Sequence, residues 1–131
     1  MKFFEYNYET FDGEKKELKL RLTSSDMKII EKFTGVSLLD YVTNVSITML
    51  TTMLRYLCRA NTPNFSEKDA DKLYDELVDS GLAMENIYLD IIMEALVVSG
   101  MMKKEDLDEM KSKTEEQKRE RVDNLEKTPS K

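Results

Sequence analysis

The first twenty-two residues alternate with a period of two. Phe4, Tyr6 and Tyr8 interleave with Glu5, Asn7 and Glu9, and after Asp12-Gly13 the leucines Leu18, Leu20 and Leu22 interleave with Lys19 and Arg21. This pattern predicts a β-hairpin with aromatics and leucines on its inward face. Its outward positions are acidic on the first strand and basic on the second, so cross-strand charges favour pairing. A two-stranded ribbon is marginal alone, and helices are expected beneath it.

From Thr23 onward the period becomes helical. Thr23-x-x-Asp26, Ser37-x-x-Asp40 and Ser66-x-x-Asp69 each place a hydroxyl where it caps free amides and a carboxylate in the positive first turn. The first predicted helix is short, with Met27, Ile30 and Phe33 inward and Gly35 as its stop. The second is read as one rod from residue 38 to about 59, with Leu38, Val42, Val45, Met49, Met53 and Tyr56 at helical spacing. Its β-branched content lowers intrinsic helicity, and Asn44 is the weakest point. A turn at residues 61–64 leads to a helix with Ala70, Leu73, Tyr74, Leu77 and Val78 on one face, Asp71, Asp75 and Asp79 opposite, and Gly81 ending it. Residues 84–99 are apolar nearly all round, with the stripe Asn86, Asp90 and Glu94 polar, which marks a central helix.

The pattern stops after Gly100. Residues 103–131 hold nine basic and nine acidic side chains, with only Leu107, Met110, Val122 and Leu125 as aliphatics. The pairs Glu109/Lys113, Glu115/Arg119 and Asp123/Lys127 support a helix without a core. The expected fold is therefore mainly α: a bundle of about four to five helices with an N-terminal β-hairpin, a body over 1–101 and a charged arm over 102–131, helical or disordered.

Charge narrows the function. The net charge of −6 lies wholly in the body, and residues 63–94 carry nine acids against Lys68 and Lys72, so nucleic acid is not an expected partner. Residues 33–54 hold Asp40 as their one charge, yet eight Ser, Thr or Asn residues make them too polar for a bilayer span. The N-terminus lacks the apolar stretch of a signal peptide, and Cys58 is the single cysteine, so a reducing cytoplasm is expected.

Chemistry is sparse as well. With no histidine and one cysteine, zinc sites and the common nucleophilic dyads and triads lack their components, and no glycine-rich phosphate loop is present. No enzyme, cofactor or metal is expected. Asp71/Asp75 and Asp90/Glu94 at i,i+4 read as solvated helix faces in preference to a divalent-ion site. The sequons at Asn44-Val45-Ser46 and Asn64-Phe65-Ser66 carry no consequence without a secretory route.

Nine methionines are many for 131 residues. Thioethers repack against varied apolar surfaces, so Met49, Met53 and Tyr56 on the second helix, and Met101 and Met102 at the edge of the body, are the candidate partner-binding residues. Core filling is the commoner use of such positions. The neutral stretch 33–54 is the candidate for subunit or partner contact, with packing against the 84–99 helix as its alternative role.

The ordered strings L-K-L-R-L-T, D-M-K-I-I-E-K-F-T-G, S-L-L-D-Y, N-F-S-E-K-D-A-D-K-L-Y-D-E-L and I-I-M-E-A-L-V-V-S-G, over about residues 3–101, resemble the tail assembly chaperones of long-tailed bacteriophages infecting Gram-positive hosts. The resemblance implies a protein of the host cytoplasm, absent from the mature virion, that coats and solubilises the tape measure protein. It further implies self-association, and tail tube protein as a second partner through a frameshifted longer product. The alternative is an acidic regulatory protein that inhibits a basic partner by charge mimicry through residues 67–94.

Overall fold

The structure, a computed structural model, describes residues 1–127 and nothing of the side chains after Arg121. Strands β1 (Phe4–Glu9) and β2 (Lys15–Leu20) pair antiparallel, with Phe4 opposite Leu20 and Tyr6 opposite Leu18. The outward pairs Glu5–Lys19 and Glu9–Lys15 join opposite charges, as the alternation predicts. Gly13 closes the turn at φ 86°, a left-handed conformation that costs glycine little.

Six helices follow among the described residues: α1 (Ser24–Thr34), α2 (Leu38–Thr43), α3 (Ile47–Arg59), α4 (Glu67–Asp79), α5 over residues 84–98 and α6 (Lys104–Lys127). The three anticipated caps are present, since Thr23, Ser37 and Ser66 accept hydrogen bonds from the amides of Asp26, Asp40 and Asp69. Ser66 and Asp69 form a reciprocal capping box.

The rod expected over 38–59 is two helices. It breaks at Asn44, and Ser46 starts α3 by accepting from the amide of Met49 at 3.0 Å. The break leaves the carbonyl of Val42 without a helical partner, and the hydroxyl of Tyr88 donates to it at 2.8 Å in a buried setting. Tyr88 lies on α5, where a six-residue π-helical segment, Ile87–Ile92, is set between two α-helical ends. Nothing in the hydrophobic pattern signals that wider turn.

Helix α3 is the centre of the molecule and packs on α4, on the π segment of α5 and on β2. Leu50, Met53, Leu54 and Leu57 of α3 meet Leu20, Leu22, Ile30, Leu77, Ile87, Ile91 and Ile92 in one core from which solvent is excluded. Each such side chain contributes roughly 1.5–3 kcal/mol of burial. The hairpin is tied down at both ends. Beyond β2, the Arg21 amide donates to the carbonyl of Leu57 at 3.0 Å, and the Leu22 amide to the hydroxyl of buried Ser99 at 2.8 Å. At the other end Tyr8 and Lys16, cross-strand neighbours, both reach the Glu76 carboxylate on α4, at 2.6 and 2.9 Å.

The arm also departs from expectation. Its first three turns fold back along α5, with Leu107 fully buried and Met110 partly so. Phe33, expected inward, is 56% exposed at the end of α1.

Candidate functional site

The charge-poor stretch 33–54 divides by face. Leu38, Val42, Met49, Leu50, Met53 and Leu54 are spent on the core, whereas Phe33, Val36, Leu39, Val45 and Ile47 remain exposed, at between 40% and 56%. The break at Asn44 turns Val45, inward on an unbroken rod, out to solvent at 40%. These exposed apolar side chains, on a chain segment with one charge, are what the stretch offers as a candidate contact surface.

Met49 and Met53 do not belong to that surface. They are 1% and 0% exposed, which corrects the expectation of a binding stripe there and places them in the commoner role of core filling. Both fall on the helical stripe of Leu38 and Val42, which is buried on either side of the break. Tyr56 is also buried, at 7%, between the guanidinium groups of Arg55 and Arg59, 5.4 and 5.3 Å from its ring centroid, and beside the ring of Phe33. Met101 and Met102 are half-buried against the core at the start of the arm.

A groove of about 500 Å³ lies where α1, α3 and α4 meet. Phe33, Ile47 and Tyr56 give its lining an apolar part, and Thr48, Thr51, Arg55, Glu67 and Asp71 a polar one. The Nε of Arg55 is buried with no hydrogen-bond acceptor, and the side chain makes no ion pair among the described residues. A guanidinium without an ion pair gives this wall of the groove a preference for an acidic or carbonyl-bearing occupant.

The acidic positions fall into two groups. Asp71, Asp75 and Asp79 line the exposed side of α4. Of Asp90 and Glu94, expected on a solvated face, Glu94 is largely covered by α6 while Asp90 stays about half exposed: Lys111 bridges both, at 3.4 and 2.7 Å, and Lys104 reaches Glu94 at 2.6 Å. Lys118 reaches Glu85 at 3.2 Å, so lysines seven residues apart climb the acids of α5 in antiparallel order. Burial pushes the Glu94 carboxyl up, but the hydrogen bonds from Lys104 and Lys111 outweigh it and hold the group below its ordinary value of 4.5. The pair Glu109–Lys113 forms at 3.3 Å, while Asp123/Lys127 lies outside the described side chains. Burial pushes the Cys58 thiol up to about 12, which leaves it a buried apolar group at neutral pH.

Two features escaped the pattern. Ser46, the serine of a sequon, is a helix cap, and its position three residues before Met49 was the available signal. Phe11 interrupts the alternation of the hairpin and stands 85% exposed at its tip.

Among the described residues no helix is long and apolar enough to cross a membrane, and no group of acids, cysteine or histidine is placed to hold a metal ion. No family model, no curated protein and no solved structure matches the chain.

Proposed function

We propose that this protein is a phage tail assembly chaperone, a non-enzymatic binding module of the host cytoplasm that holds the tape measure protein soluble before the tail tube closes around it. The observation that carries the reading is the exposed apolar set Val36, Leu39, Val45 and Ile47 with Phe33, on a segment whose one charged residue is Asp40. Long helical clients expose aliphatic stripes, and such a surface covers them without sequence-specific chemistry. The resemblance of residues 3–101 to this family supplies the client, with self-association and tail tube protein as further partners and absence from the mature virion.

Co-expression with a tape measure fragment tests the reading. The fragment is expected in the soluble fraction with the wild-type chain, and to return to the pellet with a Val36→Asp/Leu39→Asp variant, whose substitutions lie at exposed positions and leave the core intact. An equally insoluble fragment with and without the wild-type protein sinks the proposal. Asp71→Asn, Asp75→Asn and Asp79→Asn together are expected to leave client solubility unchanged. Loss of binding in that triple variant would favour charge mimicry of a basic partner instead.

A further inference from the structure

We propose that the hairpin tip and the α1/α3/α4 groove are complementary halves of one contact between copies of this chain, with Phe11 of one copy seated in the groove of the next. This deepens the self-association within the proposed function, and its test needs no client, so the two can fail separately.

The tip is built as an anchor. Phe11 is the most exposed large apolar side chain among the described residues, yet it sits on a turn closed three times: the Thr10 amide to the Glu14 carbonyl at 2.8 Å, the Gly13 amide to the Thr10 carbonyl at 2.9 Å, and the Glu14 amide to the Thr10 hydroxyl at 3.0 Å. A turn held in this way loses little conformational entropy on docking, and a preorganised aromatic is the commonest kind of interface anchor. Core packing gives no reason for a phenylalanine here.

The groove offers what the tip lacks. Its lining includes the exposed side chains Phe33 and Ile47, and an aromatic ring seated there would lie near the ring of Tyr56. Charges match in both directions. Arg55, which makes no ion pair among the described residues, meets the Asp12 and Glu14 carboxylates that flank Phe11, while Glu67 and Asp71 meet exposed Lys15.

One molecule does not satisfy itself. The groove adjoins Glu67 and Asp71 at the start of α4, whereas the tip lies beside Asp75 and Asp79 at its end, about 12 Å further along at 1.5 Å per residue. The occupant is therefore a second copy, and the contact either closes in a dimer with two seated rings or continues from copy to copy.

Light scattering after size exclusion, from micromolar to millimolar protein, reads the result. Wild-type protein is expected to associate with rising concentration, and Phe11→Ala or Ile47→Asp to weaken that association by roughly tenfold or more. Both substitutions are at exposed sites, and circular dichroism should show each variant folded. Mixing the two variants is the decisive arm, since one retains the groove and the other the tip. The mixture is expected to associate at concentrations where each alone is monomeric. A monomeric wild-type chain at millimolar concentration, association unchanged in Phe11→Ala, or a mixture no heavier than its components would each overturn the proposal. Client solubility in Phe11→Ala is expected not to fall below wild type, because Phe11 is outside the client surface, whereas Val36→Asp/Leu39→Asp, outside the groove lining, is expected to leave self-association unchanged.

Discussion

Helices α3 and α6 lie against the same helix, α5, and are held there by different forces. Along α3 the contact is apolar: seven of its residues are buried, and its polar edge faces the groove. Along α6 the apolar contribution comes from Leu107 and partly buried Met110, after which lysines at 104, 111 and 118 carry the attachment to Glu94, Asp90 and Glu85. Burial is insensitive to salt, whereas partly exposed ion pairs contribute about 0–1 kcal/mol and are screened. One helix is thus part of the folded core, and the other is docked on it.

The comparison can be broken most severely at α3. Leu57→Ala removes a fully buried side chain, and a loss of about 2–5 kcal/mol in global stability is expected by urea denaturation, with all helices lost together. Leu107→Ala removes an equally buried side chain from α6, but the expected outcome is local. Amide exchange should accelerate across α6 while the amides of α3 keep wild-type protection. If α3 loses protection to the same extent, α6 belongs to the cooperative core and the distinction fails.

Smaller effects sharpen the contrast. Glu94→Gln removes the acceptor shared by Lys104 and Lys111, and should weaken α6 docking by about 1 kcal/mol or less at low salt and by less still at about 1 M salt, read from α6 amide exchange. Acid should do the same by degrees. Because the folded-state pKa of Glu94 lies below its ordinary value of 4.5, its contribution is complete above that value and is lost as pH falls through the lower folded one. Glu76 behaves alike, lowered first by the Tyr8 hydrogen bond and then by Lys16, so hairpin and arm should both loosen in the same acid window. In Glu94→Gln the acid response of α6 should diminish while that of the hairpin remains, which NMR titration of the two regions resolves.

Much of this was legible in the chain. A period of two with opposite charges on its outer positions specified the hairpin, since register and pairing are local consequences of alternation. The hydroxyl-to-carboxylate spacing at Thr23, Ser37 and Ser66 located three helix starts because capping is settled within four residues. Asn44 was identified as the weak point of the long apolar run, but the run was still read as one rod. The inward placement of Met49 and Met53 follows the stripe they share with Leu38 and Val42, whereas the outward placement of Val45, which the break displaces from that stripe, and of Phe33, at the end of α1, depends on tertiary packing. The candidate surface was therefore visible as a stretch of sequence but not as a set of side chains.

Local stereochemistry, composition and charge belong to the chain alone: a mainly helical body, a hairpin over it, an acidic middle, and no residues for the common catalytic centres. The folding-back of α6 onto Asp90 and Glu94, the rescue of the Val42 carbonyl by Tyr88, and the choice of which aliphatics stay outside belong to the assembled molecule. Each joins residues far apart in sequence, and periodicity carries no information about which distant partner will cover a face, only that the face exists.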